Sequence, residues 1–117
     1  MAAPNIVNVA TITGKTAVLA VGTSASAIVT NSAASGKVFK VNALYVANVD
    51  GTNACDLTVD LFRSSTAYKI ASTVSVPADS TLDVINKAIY LEEGDSLRLT
   101  AGATLDLEAV CSYEEIS

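Results

Sequence analysis

The chain has 117 residues, a mass of 12.0 kDa and a formal net charge of −5. Half of its residues are apolar and only 16% are charged, which excludes a disordered chain. With no His, no Trp and two Cys, it cannot assemble a Ser-His-Asp or Cys-His triad, nor a four-ligand zinc site within one chain.

Histidine is the usual general base near neutrality. Its absence leaves only chemistry built on carboxylates or lysine, so an enzyme is not expected; no catalytic, cofactor-binding or metal-ligating residue is assigned, and no cofactor. No apolar run reaches the roughly 18–20 residues of a membrane span, and no membrane association is expected. The opening stretch MAAPNIVNVATITGK lacks a cationic region followed by an apolar block, so a secretory signal is not expected either. An acidic chain of pI near 4.4 is a poor partner for a phosphate backbone, and nucleic acid is not expected.

The charge is uneven along the chain. Residues 1–78 carry five basic and three acidic side chains, and residues 79–117 carry two basic and nine acidic ones. Mean hydropathy is +0.44. The 19 Ala and 14 Val account for much of that, but a surface buried against other subunits has the same signature, because obligate interfaces are depleted in charge. A folded domain of this mass exposes roughly 6,000 Å², of which one ordinary interface hides about 800 Å² per partner. Association is the expectation.

In chain order, three weak strands are predicted over Ile6–Thr13, Thr16–Val21 and Ala25–Thr30, with Gly14 and Gly22 between them. Lys37–Asn48 reads as a long strand with Phe39, Val41, Ala43, Tyr45 and Ala47 on one face and Lys40, Asn42, Leu44 and Val46 on the other. Neither face is wholly polar, so cover on both sides is expected. Asp50-Gly51 then supplies a tight turn through a positive φ. Cys55–Phe62 alternates most cleanly: Cys55, Leu57, Val59 and Leu61 oppose Asp56, Thr58 and Asp60. Thr66–Val76 follows after a link of hairpin length, so the two strands are expected to pair antiparallel. Short strands are predicted over Thr81–Val84 and Ala88–Leu91. The segment Tyr90–Leu99 runs strand, acidic turn with Gly94, strand. The last strand, Thr104–Tyr113, places Leu105, Leu107, Ala109, Cys111 and Tyr113 on one side.

No 3.6-residue periodicity is sustained anywhere. Eight or nine short strands at roughly 8–12 residue spacing indicate an all-β, antiparallel β-sandwich, a single domain over residues 1–117. A strand–EEGD–strand turn near the C-terminus favours a jelly-roll-like topology over an immunoglobulin-like one.

Candidate sites each have an ordinary reading. Asp50, Asn53, Asp56 and Asp60 present hard oxygen ligands for calcium, but the spacing matches no calcium loop and alternating Asp marks any solvated strand face. Glu92, Glu93 and Asp95 form a second acidic cluster with the same alternative. A carboxylate pair for glycoside hydrolysis needs a cleft and a raised pKa, and few aromatic rings are available to stack a sugar. Cys55 and Cys111 read as small buried hydrophobes, with a disulfide left open. Lys15 in Thr13-Gly14-Lys15-Thr16 imitates the end of a phosphate-binding loop without its upstream Gly or following helix. The acidic ending Ser112–Ser117 reads as a solvated tail, or as one rim of a subunit whose opposite rim is basic, steering head-to-tail contacts.

MAAPNI (1–6), ITGKTA (12–17), VNALYVANVDGTNA (41–54), IASTVSVPADSTLDVI (70–85), IYLEEGDSLRLTA (89–101) and LEAVCSYEEIS (107–117) together resemble a family of small virion structural proteins of tailed bacteriophages of cyanobacteria and other aquatic bacteria. The resemblance runs almost the whole length. It implies a particle component made in many copies, first a capsid decoration (cement) protein that stabilises the head, and alternatively a tail, neck or fibre module that binds host glycans. It implies a homotrimer and the major capsid protein as partners, and the virion as location. A glycan groove would be rimmed by Tyr68, Tyr90 or Tyr113, but their parity matches core positions. Whether the first dozen residues form a strand or an arm to a neighbour stays open.

Overall fold

The computed structural model describes residues 8–117 and arranges them as nine strands. They are β1 (Ile12–Ala20), β2 (Ser26–Thr30), β3 (Val38–Asn48), β4 (Cys55–Arg63), β5 (Thr66–Val76), β6 (Thr81–Asp83), β7 (Ile89–Leu91), β8 (Ser96–Ala101) and β9 (Leu107–Ile116). Every pairing is antiparallel. One sheet runs β1-β9-β3-β6, with β7 also on β3, and the other runs β2-β8-β4-β5.

β6 and β7 pair with opposite ends of β3, Tyr45–Ala47 and Phe39–Val41. They are two halves of one interrupted strand. Counted so, the chain places strands 1, 8, 3, 6 in one layer and 2, 7, 4, 5 in the other, the eight-stranded double Greek key of a jelly roll. The expected sandwich and its jelly-roll topology are therefore both present.

The interruption faces a bulge. Register on β9 shifts between Val41 and Ala43, so Asn42 is an extra residue in β3. A bulge reverses which parity points inward. Phe39 and Val41 face the core before it, and Leu44 and Val46 after it, the last three at 0% exposure. This is why both faces of Lys37–Asn48 look apolar: one buried face changes parity midway, and Tyr45 stands 45% exposed.

The core between the layers is aliphatic. Leu57, Val59, Leu97 and Leu99 from one sheet meet Leu44, Val46, Leu91, Leu107 and Cys111 from the other, all at 0–1% exposure. Cys55 and Cys111 are both buried, and they are not bonded to each other. Burial pushes the Cys111 thiol up to about 11, so it stays protonated and inert at neutral pH.

Several expectations need correction. Gly14 does not separate two strands; β1 runs through it in unbroken register with β9, because β9 supplies a continuous template. The part of the Ile6–Thr13 prediction before residue 8, and any arm there, lie outside the described residues. The Asp50-Gly51 turn needs no positive φ; the Asp50 carboxylate builds it by accepting Thr52 N at 2.8 Å and Asn53 N at 3.2 Å. The last strand begins at Leu107 rather than Thr104 and continues to Ile116. Leu105 sits outside it, 84% exposed at φ 65°. The β4–β5 hairpin forms as expected, on a two-residue Ser64-Ser65 turn with both φ positive, whose twist matches the flanking strands.

Candidate functional site

Most polar groups that could have carried chemistry are occupied in holding loops. Asp95 closes the EEGD turn: its side chain accepts Glu92 N at 2.8 Å, and Gly94 takes the positive φ of 90° that the turn requires. Arg63, at the end of β4, grips Asp95 with two hydrogen bonds, Nε to Oδ1 at 2.7 Å and Nη2 to Oδ2 at 2.5 Å, and reaches Glu92 as well. Glu93 accepts Gly36 N at 2.8 Å. The EEGD cluster is thus a buttress joining the β4 end and the β2–β3 loop.

Asp60 on the outer face of β4 is 1% exposed despite facing outward. Arg98 covers it, with Nε 2.8 Å from Oδ1, while its guanidinium lies 3.9 Å over the Phe62 ring. Asp50 serves its own turn and Asp56 stays exposed. Lys15 ends on Glu115 at 3.0 Å, and Lys37 on the same carboxylate at 2.6 Å.

The tail is not a solvated end. It completes β9, which lies between β1 and β3, so its acids sit among Lys15, Lys37 and Lys40. The acids of the ending thus face lysines from earlier in the chain rather than forming an acidic rim of their own.

Burial alone would raise the Asp95 carboxyl, but the Arg63 hydrogen bonds, the Glu92 amide and the Arg63 charge outweigh it and hold it below the usual carboxylate range. Hydrogen bonds from Lys37 and then Lys15 lower Glu115 in the same way. A depressed carboxylate contributes stability that is present above its unfolded pKa and lost as pH falls through the folded one. Urea unfolding midpoints are therefore expected to drop on acidification below about pH 4, and the gap between wild type and Asp95→Asn to narrow as pH falls further, through the lowered value of the folded carboxyl. A gap that stays constant with pH would refute the assignment to Asp95.

What remains available is surface. On the outer face of the β1-β9-β3 sheet, Val18 pairs with Val110, and Val110 with Tyr45. These three lie in one row across three strands, at 75%, 41% and 45% exposure. The flanking rows are Thr16, Ser112 and Ala43 on one side, all small, and Ala20, Glu108 and Ala47 on the other, where exposed Glu108 brings one charge. A shallow depression of about 330 Å³ lies over Val18, Ala20, Glu108 and Val110. The opposite sheet shows instead Asp60, Arg98, Thr58, Thr100 and Lys69 on its outer side. The contrast holds for the central strands; at its edge the second sheet also exposes Tyr68, Ile70 and Val74 on β5.

No family model matches this sequence, and no curated protein matches it. Solved structures do. A structure described under Bacillus endospore appendages forming a novel family of disulfide-linked pili is 15% identical, with a TM-score of 0.53 over 92% of this chain and 88% of that one. A second, described as the triple jelly roll fold and turret assembly in an archaeal virus, is 16% identical, with a TM-score of 0.51 over 94% of this chain and 30% of that one. The likeness is one of fold.

The two thiols of this chain are both inside it, Cys55 at 4% and Cys111 at 0% exposure. Tyrosine parity misleads. Tyr68 and Tyr90 are exposed, at 56% and 41%, and Tyr113 packs on Phe39 with ring centroids 5.5 Å apart. Tyr68 on β5 and Tyr90 on β7 belong to different sheets. The sequence reading missed the Val18–Val110–Tyr45 row, although its signal was visible: Thr16, Val18 and Ala20 form a second charge-free parity beside Ala17 and Leu19.

Proposed function

We propose that this protein is a non-enzymatic structural subunit of a virion, a capsid decoration protein that docks on the major capsid protein as a homotrimer and stabilises the head. The observation that carries this reading is the apolar, charge-poor row on one outer face of a jelly roll whose acidic clusters are largely engaged in internal contacts. Such a surface suits a stationary partner rather than a turned-over substrate. The fold it shares with an appendage protein and a viral turret protein supports an assembly role, as does the near full-length resemblance to phage virion proteins. Many modest contacts repeated over a lattice would then add up against internal pressure.

Quantitative protein composition of purified particles tests it. A copy number in the hundreds, comparable to the major shell protein, is expected, along with shells that break more readily when the gene is deleted. A handful of copies placed away from the shell would favour the tail or fibre module, and absence from particles would overturn both.

A further inference from the structure

Four strand edges bound the two sheets, and three of them are poor templates for another strand. β2 has five residues and a register shift between Ala27 and Val29. β5 carries two register shifts against β4 and a positive φ at Thr73. β6 and β7 are three residues each. These are the devices by which sheets discourage edge pairing. β1 has none of these three, and its one edge charge is held on Glu115. It runs nine residues in unbroken register with β9, hydrogen-bonds among the described residues on that side alone, and bears one charge, Lys15.

We propose that the free edge of β1 pairs antiparallel with β1 of a second copy about a two-fold axis at Thr16. The register follows from charge and overlap. Antiparallel neighbours must keep outer residues opposite outer ones, so only registers that move in steps of two are allowed. Centring on Lys15 sets two lysines directly opposite each other, which is unfavourable. Centring on Ala17 forfeits the pairs of Ile12 and Thr13. Centring on Thr16 uses all of Ile12–Ala20, sets Lys15 opposite Ala17, and leaves each Lys15 on its own Glu115.

In that register Thr16 meets Thr16, a favourable cross-strand pair, and Val18 stands opposite Gly14 of the second copy. Nothing in the subunit itself demands glycine at 14: its φ is not positive, and an added Cβ would meet nothing within 4 Å. The axis is perpendicular to the joined sheet, so both Val18–Val110–Tyr45 rows face the same way. Pairing makes one broad docking face from two. A closed trimer uses other contacts, and the two-fold edge would link such units.

Light scattering and sedimentation of the full chain over a concentration series are the test. A concentration-dependent two-fold species is expected. Thr16 is exposed, so Thr16→Glu and Thr16→Lys leave the fold intact, which their thermal unfolding checks. Each is expected to weaken pairing about tenfold by placing like charges at the axis, and an equimolar mixture of the two to restore it. Thr16→Cys, with both native thiols buried, is expected to cross-link on oxidation, while Ser72→Cys, at an exposed position on β5, does not. A chain that is monomeric throughout, or an assembly indifferent to all three Thr16 variants, overturns the edge pairing. Neither result bears on particle copy number, so this inference and the proposed function fail separately.

Discussion

Deleting Asn42 is expected to leave the protein folded, although it removes a residue from the middle of a core strand. The residue is one too many: Val41 and Leu44 stand three apart and both face inward only because the bulge absorbs it. Without it they stand two apart, so regular alternation keeps Phe39, Val41, Leu44 and Val46 on the inward face. The Val41–Tyr113 and Ala43–Ser112 pairs then become consecutive, and β3 runs along β9 in unbroken register. Asn42→Ala keeps the extra residue and is expected to shift stability by no more than about 0.5–1 kcal/mol. Circular dichroism and thermal unfolding of the two variants decide the matter: a deletion variant without the native strand signal and cooperative transition would show that Asn42 is not the extra residue.

The same residue marks the boundary of what the sequence makes legible. Strands with one uniform parity, such as Cys55–Phe62, disclose both their limits and their buried face, because period-two alternation maps directly onto the pleat. Turns governed by short-range chemistry are almost as clear: EEGD closes on Gly94, and hairpin length after Arg63 forces an antiparallel partner. Bulges are invisible to that reading, since one inserted residue converts a regular pattern into two apparent apolar faces. β3 looks covered on both sides for this reason, and Tyr45 shares a parity with Phe39 and Val41 without sharing their burial. Long-range neighbours are hidden as well. Nothing local in Ser112–Ser117 reveals that it lies between two strands bearing lysines, so an acidic ending reads as a tail.

Composition argues against titrating chemistry, but it says nothing of the surface available for assembly. The residues of that surface are ordinary Val, Ala and Thr, whose significance arises only when β1, β9 and β3 are brought side by side. The contrast between the two outer faces is the clearer guide. Where one sheet covers its outward carboxylate Asp60 with Arg98 and presents polar groups to water, the other leaves a charge-poor strip across three strands. In the proposed role only the charge-poor strip would dock, and the polar face would stay in water.

The fold also depends on a side chain that no pattern singled out, and Asn31→Ala is expected to lower unfolding free energy by about 3 kcal/mol. Asn31 is 0% exposed. Its Nδ2 donates to Lys37 O at 2.9 Å and to Leu91 O at 3.0 Å, and its Oδ1 accepts from Ser35 Oγ at 2.5 Å. Its backbone joins the EEGD turn through Asn31 N to Asp95 O and Gly94 N to Asn31 O. One residue therefore ties the β2–β3 loop, the end of β7 and the acidic buttress together. Alanine leaves the backbone links intact but strands two carbonyls, each costing about 1–3 kcal/mol when buried without a donor. For a chain of this size that corresponds to a melting temperature lower by roughly 10 °C. Asn31→Asp has nearly the same volume and is expected to be worse than alanine, since it sets a carboxylate oxygen against both carbonyls. Asn48, which donates to Asn53 O and Val76 O at the other end of β3, is expected to show the same ranking. If Asp proved as stable as Asn at position 31, packing rather than these hydrogen bonds would be what holds that end of the sandwich closed.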